Sequence, residues 1–397
     1  MTAKSMIPYV EGNSAIRAMF EEGARMAKEF GKENVYDFSL GNPSVPAPSE
    51  VNQAIRDILA EEDSLLIHGY NQSNSGYEDV RTTVAEHLNR LHGTAFTAQN
   101  IIMTVGAASG LNVAMKTLLD PGDEVLAFAP YFVEYGNYAK NHGAELKAIP
   151  ADPASGFQPN LAVLETMISE KTHAVIINSP NNPTGVVYSE ATLQRLASIL
   201  EKASARIGHP IFIISDEPYR ELAYDGVTVP YVTKYYRNTI VGYSWSKSLS
   251  LPGERIGYLV IPSEIDDFSN AVTAANIANR VLGYVNAPTL IQRVAARCID
   301  CSTDIDAYDK NRKALYEGLS AAGYECTKPE GAFYLFVRSP IDDDVEFCAL
   351  AKKYHILIVP GKSFACPGYV RIAYCVAYDT IVNSLPHFKA LLDEVRG

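Results

Sequence analysis

Residues 244–258 read Ser-Trp-Ser-Lys-Ser-Leu-Ser-Leu-Pro-Gly-Glu-Arg-Ile-Gly-Tyr, with Lys247 set among hydroxyls and Arg255 eight positions further on. An apolar run, Thr239 to Gly242, precedes this stretch and a strand-like one, Ile256 to Ile261, follows it. The pattern predicts a loop joining two buried strands. A lysine held there is poised rather than solvated, and a desolvated amine is a nucleophile that condenses with carbonyls. The hydroxyls and Arg255 are anion ligands by type. Read alone, the segment fits an ordinary serine-rich surface turn equally well.

Outward from this loop the same rhythm repeats. From about Val51 to Ile261 short apolar runs alternate with amphipathic stretches, the mark of an α/β sheet with helices on both faces. Strands are predicted at Ile101 to Thr104, Glu124 to Phe128, Ala174 to Ile177, Ile211 to Ile214, Thr239 to Gly242 and Ile256 to Ile261. Helices are predicted at Ser49 to Glu61, Gly76 to Leu91, Ala107 to Leu118, Phe132 to His142 and Glu190 to Ala203. Ligands in such folds gather at the carboxyl ends of the strands. After about Pro288 the pattern changes to a long helix at Leu290 to Asp300, its continuation to Leu319 left open, then a strand at Ala332 to Val337 and a helix at Asp344 to Tyr354. Strands at Ile356 to Val359 and Tyr369 to Ala373 and a closing helix complete a smaller α+β domain. The segment Gly41-Asn-Pro-Ser-Val-Pro-Ala-Pro48 is extended, because each proline biases its predecessor away from helix.

Composition narrows the function. The 397 residues are too many for one simple domain, and 47% hydrophobic with 20% charged residues is globular. A net charge of -12, spread along the chain, excludes the basic stripe that nucleic acid requires. No apolar run approaches the roughly 18 residues that span a bilayer, and the N-terminus has no apolar signal core. The expectation is a cytoplasmic protein without nucleic-acid or membrane partners. All six cysteines fall in the last hundred residues; Cys298 and Cys301 form a lone CxxC in a helical pattern, Ile291 to Ile305, without the second pair of a zinc site. No histidines pair at HExxH spacing, and no metal is expected.

Five further segments bear on the lysine. Thr104-Val-Gly-Ala-Ala-Ser-Gly110 follows a strand and opens a helix, where amides can approach an anion, though it is also a plain tight turn. Asp216 leaves a wholly apolar strand, where an unpaired carboxylate is costly; a protonated ring nitrogen would keep it ionised, and helix capping is the alternative. Tyr219 follows three positions on. Asn178-Ser-Pro-Asn-Asn-Pro-Thr-Gly185 fixes a rigid turn at a strand end, with Asn182 held for hydrogen bonding. Pro130-Tyr-Phe-Val-Glu-Tyr135 places aromatics where one could stack on a flat heterocycle or simply fill the core. Arg371 lies inside the apolar strand Tyr369-Val-Arg-Ile-Ala373 and requires a carboxylate, from a substrate or from an internal ion pair. One small molecule combines a carbonyl, an anion and a protonatable ring: pyridoxal 5'-phosphate.

Together these residues resemble a family. Tyr70 with Gly76 six positions later, Val-Gly-Ala-Ala at 105–108, Asn-Asn-Pro-Thr-Gly at 181–185, Asp-Glu-Pro-Tyr at 216–219, Ser-x-Ser-Lys at 244–247, Arg255-Ile-Gly-Tyr258 and Arg371 match, in order, the fold type I, class I/II pyridoxal-phosphate-dependent aminotransferases, of which aspartate aminotransferase is the type. The resemblance implies a large domain at 47–290 with a mostly parallel seven-stranded sheet, an N-terminal arm and part of the small domain at 1–46, and the rest of the small domain at 291–397. It implies that Lys247 is the Schiff-base lysine, that Asp216 pairs with the pyridine nitrogen, and that Asn182 and Tyr219 bond the ring's phenolic oxygen. Phe132 would stack on the ring. Amides of Ala107 and Ala108, with Ser244, Ser246 and Arg255, would hold the phosphate. Arg371 would take the substrate carboxylate, with Gly41 and Asn182 beside it. Tyr70 would reach the neighbouring subunit's phosphate, which implies a homodimer. The activity implied is transfer of the amino group of an L-amino acid to a 2-oxo acid.

The departures are specific. Ala107 and Ala108 stand where glycine, serine, threonine or lysine is frequent, Pro218 replaces an aliphatic residue, and no second arginine reads a distal carboxylate, Arg280 being a candidate by position only. Aspartate/glutamate, aromatic and aliphatic donors therefore stay open. A β-eliminating C-S lyase of the same fold is the nearest alternative. A non-catalytic sensor lacks room for a DNA-binding domain before the site, and a dehydrogenase lacks its glycine fingerprint.

Overall fold

The structure, a computed structural model, describes residues 2–11 and 15–397. After β1 (Tyr36–Asp37), seven strands form the central sheet: β2 (Ile101–Thr104), β3 (Glu124–Phe128), β4 (Glu145–Ile149), β5 (Thr172–Asn178), β6 (Phe212–Asp216), β7 (Thr239–Ser244) and β8 (Gly257–Val260). Their spatial order is β2-β8-β7-β6-β5-β3-β4, with β8 antiparallel to both its neighbours and the remaining pairs parallel. This is the mostly parallel seven-stranded sheet expected. Its inner strands read as continuous apolar runs because both faces are covered. Ile101 and Met103 pack with helices Ser49–Glu61 and Glu78–His92, whereas Ile102 packs with helices Gly106–Leu118 and Phe268–Val281.

Several features differ from those the sequence predicts. β4 was not expected, because Glu145-Leu-Lys-Ala-Ile149 lies at the sheet edge, largely out of the core, and carries two charges. The long helix from Leu290 is two helices, Thr289–Arg297 and Ile305–Ala322, since the Asp304 carboxylate accepts from the Ala307 amide and starts a new N-terminus. Cys298 and Cys301 therefore lie at and beyond a helix end rather than within a helix, and all six cysteines are unpaired. The loop after β7 begins with a helical turn, Trp245–Ser248, with Ser244 at the position before it and no side-chain cap. The helix predicted at Asp344 to Tyr354 ends at Ala351 and tightens into a 3-10 turn, Lys352–Tyr354.

The C-terminal part adds β9 (Cys326–Thr327), β10 (Tyr334–Arg338), β11 (Ile356–Leu357), β12 (Val359–Pro360) and β13 (Tyr369–Ala373). What the sequence suggests as one strand at Ile356 to Val359 is thus two, serving two sheets. β12, β13, β10 and β9 make an antiparallel sheet, and β11 pairs in parallel with β1, which ties the N-terminal segment to this unit. Its core includes Phe38, Tyr308, Phe333, Phe347 and Phe388, all fully buried. Each such side chain removed from water contributes ~1.5–3 kcal/mol. Helix Thr289–Arg297, in contrast, places Ile291, Val294 and Ala295 in the core beside Val51 and Val84.

Candidate active site

A cavity of about 290 Å³ opens where the carboxyl ends of β2, β3, β5, β6 and β7 meet the smaller unit. It is lined by Ala107 and Ala108, Phe132, Asn182, Asp216 and Tyr219, Ser244, Ser246 and Lys247, Arg255, Gly41 and Arg371. Apart from Tyr70 and Arg280, every residue singled out for the site is there. Tyr70 is not: it is 88% exposed, on the segment following the short helix Ser64–His68.

The lysine comes from the helical turn after β7. Its Nζ donates to the Gly41 carbonyl at 2.6 Å and lies 5.1 Å from the centre of the Phe333 ring. Burial pulls the Lys247 ammonium down to about 8, with Cys375 opposing and the charges of Arg371 and Arg255 adding. The amine is thus partly neutral near physiological pH, the state a nucleophile needs.

Asp216 ends β6, whose apolar run carries it into a buried position. The Tyr135 hydroxyl donates to Oδ2 at 2.6 Å, while Oδ1 is buried without a partner. Burial pushes the carboxyl up to about 7 against that hydrogen bond, and the neighbouring charge of Glu217 adds to the rise. A buried carboxylate oxygen without a donor costs free energy, and a protonated ring nitrogen in the cavity would remove the cost. Tyr135 was visible in sequence only as one aromatic among several.

At the end of β2, Gly106 has φ +77 and begins helix Gly106–Leu118, whose first amides have no intrahelical acceptors. A Cβ at Gly106 would lie 2.7 Å from Arg255 Nη2. Arg255, itself in the left-handed region and exposed, donates to the Pro252 and Val105 carbonyls at 3.0 and 3.4 Å. Ser244 and Ser246 hydroxyls lie 3.1 Å apart at the helical turn beside it. Amides at a positive helix end, two hydroxyls and a guanidinium form an anion cradle.

Asn182 is fixed through its own amide, which donates to Asn178 Oδ1 at 2.7 Å, while Asn178 Nδ2 donates to the Asp216 carbonyl at 2.7 Å. Arg371 Nη1 donates to Asn182 Oδ1 at 3.2 Å and Nη2 to the Ser39 carbonyl at 2.6 Å; Nε is buried and unpartnered. No carboxylate pairs with this buried arginine among the described residues, so the internal ion pair left open by sequence is absent. Phe132 stands edge-on to Tyr135 at 5.7 Å. Arg280 is exposed and forms no part of the cavity. Tyr334, whose strand reads as purely apolar in sequence, also lines the cavity, as do Tyr138, Leu111 and Pro252.

The donor set fits pyridoxal 5'-phosphate: an unpaired Oδ1 for a pyridinium, an anion cradle, a partly neutral amine and an unpaired guanidinium. Comparison with known proteins agrees. The family model described as aminotransferase class I and II matches residues 33–382. The chain belongs to that family, and it is a pyridoxal-phosphate-dependent aminotransferase. A probable aspartate/prephenate aminotransferase of Thermus aquaticus is 32% identical to it over 89% of this chain and 90% of its own. A crystal structure of an aminotransferase from Eubacterium rectale superimposes with TM-score 0.97 at 49% identity, covering 100% of both chains. The aspartate aminotransferase of Thermotoga maritima gives TM-score 0.85 at 28% identity over 96% of this chain and 97% of its own. These relatives are named aminotransferases, which leaves the lyase alternative without support.

Proposed function

We propose that the residues of this cavity move the amino group of an L-amino acid to a 2-oxo acid, with Lys247 both carrying the cofactor and shuttling the proton. When bound, pyridoxal 5'-phosphate supplies a reactive aldehyde carbon and an electron-withdrawing ring. Asp216 Oδ1 holds a proton on the ring nitrogen, and Tyr135 keeps the carboxylate ionised through Oδ2. Asn182 and Tyr219 would bond the ring's phenolic oxygen, Phe132 would stack on the ring, and Ala107, Ala108, Ser244, Ser246 and Arg255 would hold the phosphate; all of them line the cavity. Arg371 binds the substrate carboxylate through its unpaired Nε, with Gly41 and Asn182 beside it, and so fixes which Cα bond faces the reacting centre. The Lys247 amine is the group that would accept the substrate Cα proton and deliver it to the carbon that had borne the cofactor's aldehyde oxygen, on the other side of the amino nitrogen.

The single observation that carries this reading is the coexistence, in one cavity, of a buried amine titrating near 8, a buried carboxylate oxygen without a donor and a buried guanidinium nitrogen without an acceptor. Lys247→Ala is the test. It should bind the cofactor noncovalently and transaminate at no detectable rate, and parental turnover in this variant would overturn the reading.

The relatives are named for aspartate, aspartate/prephenate and aromatic amino acids, so a panel of such donors against 2-oxoglutarate, oxaloacetate and pyruvate identifies the substrate pair. We further propose a cytoplasmic homodimer in which Tyr70 completes the neighbouring site. Leu65, Leu66 and Tyr70 are 84%, 54% and 88% exposed, on a segment bonded through Asn74 to the end of the helix that bears the exposed Ile277 and Val281. Apolar exposure of this kind supports a partner. The unpaired thiols support a reducing compartment. The large domain is proposed at 47–290, with helix Thr289–Arg297 packed onto it, and the small domain is built from 1–46 and the remainder.

A further inference from the structure

Tyr334 begins β10 opposite Ala373 of β13, so it is a diagonal neighbour of Arg371 on the same sheet face. Its ring centre lies 4.6 Å from the Arg371 guanidinium carbon, and Phe364 lies 4.9 Å from the same atom. The guanidinium is thus held between aromatic rings while only two of its nitrogens bond to protein oxygens. The Tyr334 hydroxyl lies 2.9 Å from that of Tyr219, and both residues are buried. A Cβ at Gly41 would fall 2.0 Å from the Tyr334 hydroxyl, and the Gly41 carbonyl accepts from Lys247. One side chain therefore adjoins the carboxylate-binding arginine, the tyrosine beside the cofactor ring and the backbone that receives the lysine.

We propose that Tyr334 is a positioning residue with two separable parts: its ring holds Arg371 in the orientation that receives the substrate carboxylate, and its hydroxyl donates to Tyr219. The ring acts by cation–π attraction, strongest where the cation is desolvated as here. The hydroxyl bond orients Tyr219 so that its own proton is directed away from Tyr334 and remains available to the cofactor's ring oxygen. Burial pushes the Tyr334 phenol up to about 12 and Tyr219 well above its ordinary value, so both stay protonated and the pair acts by orientation rather than by ionisation.

This inference rests on the cofactor placement proposed above, and the two can fail separately. Tyr334→Phe keeps the ring and removes the hydroxyl. In the holoenzyme it should leave the amino-donor KM within about twofold, while the pH midpoint of the bound cofactor's absorbance rises by roughly half a unit or more, the equivalent of one hydrogen bond. Tyr334→Leu removes both parts. It should raise the donor KM by about 5- to 30-fold, the range of a desolvated cation–π contact, with a smaller change in kcat. If Tyr334→Phe leaves the absorbance midpoint unchanged, or Tyr334→Leu leaves KM unchanged, the corresponding part is wrong. If Lys247→Ala still attaches the cofactor covalently, the placement itself is wrong. Thermal unfolding midpoints of both variants, compared with the parent, separate these outcomes from misfolding, and Tyr334→Trp, which restores a ring without the hydroxyl bond, should recover KM where Tyr334→Leu does not.

Discussion

Tyr135 and Asp216 are joined by a 2.6 Å hydrogen bond from the tyrosine hydroxyl to Oδ2, which leaves Oδ1 buried without a partner. The bond favours the charged carboxylate against burial that favours the neutral acid. Tyr135→Phe removes that support and pushes the Asp216 carboxyl further up. The expected outcome is a cofactor affinity weaker by about 10- to 150-fold, the worth of one charge-assisted hydrogen bond, read by absorbance titration of the cofactor-free protein. Asp216→Asn, which cannot carry the charge at all, should lower kcat by more than Tyr135→Phe does.

Covalent capture of the cofactor should follow the Lys247 amine. Its folded pKa is depressed to about 8 from the ordinary 10.5, so the neutral form grows about tenfold per pH unit below 8 and is nearly complete above it. The capture rate in stopped-flow absorbance should therefore climb between pH 6 and about 8 and flatten beyond 9. A rate still rising tenfold between pH 9 and 10 would place the lysine in water-like surroundings.

Gly41→Ala tests the closeness of the segment over the site. The added methyl meets the Tyr334 hydroxyl 2.0 Å away, so the backbone must retreat and take with it the carbonyl that accepts from Lys247. Donor KM should rise by about tenfold or more, because small misplacements of positioning groups cost that much. Overall stability should change far less, since Gly41 itself is outside the hydrophobic core and, of residues 41–48, Val45 and Ala47 are the ones packed against it.

Arg220 and Glu217 form a buried ion pair directly after Asp216, with Arg220 Nε 2.9 Å from Glu217 Oε2 and its guanidinium over the Tyr231 ring. Arg220→Ala leaves the Glu217 charge buried without its counter-ion, with the Ser215 hydroxyl still donating to Oε1 at 2.6 Å. Urea unfolding should show a loss of about 3–5 kcal/mol, and Glu217→Gln combined with it should recover part of that loss.

Strand positions were legible because the strands at the sheet centre are buried on both faces and need continuous apolar runs, as in Ile101 to Thr104. β4 escaped because an edge strand has only one buried neighbour and tolerates Glu145 and Lys147. The break between Arg297 and Ile305 was hidden by helical periodicity on both sides, and only the Asp304 cap betrays it. In the site, Lys247, Asp216, Asn182 and Arg371 stood out because each is a polar residue at the end of, or inside, an apolar strand, where burial demands a reason. Tyr135 and Tyr334 gave no such signal: a tyrosine in an apolar stretch fits a core whether or not its hydroxyl has a task.

By itself, then, the sequence determined the chemistry available: a nucleophilic amine, an acid for a ring nitrogen and an anion cradle placed at strands' carboxyl ends by local periodicity, and a carboxylate receptor, Arg371, placed inside a strand. Only the tertiary structure decided how those groups are tuned, because pKa and hydrogen-bond vacancies depend on residues distant in the chain. Tyr135 lies 81 residues from Asp216 and Gly41 lies 206 from Lys247, and no local pattern records that they touch. Burial in the assembled fold is what brings the lysine down to about 8 and the aspartate up to about 7, and the Tyr135 hydrogen bond opposes the latter rise.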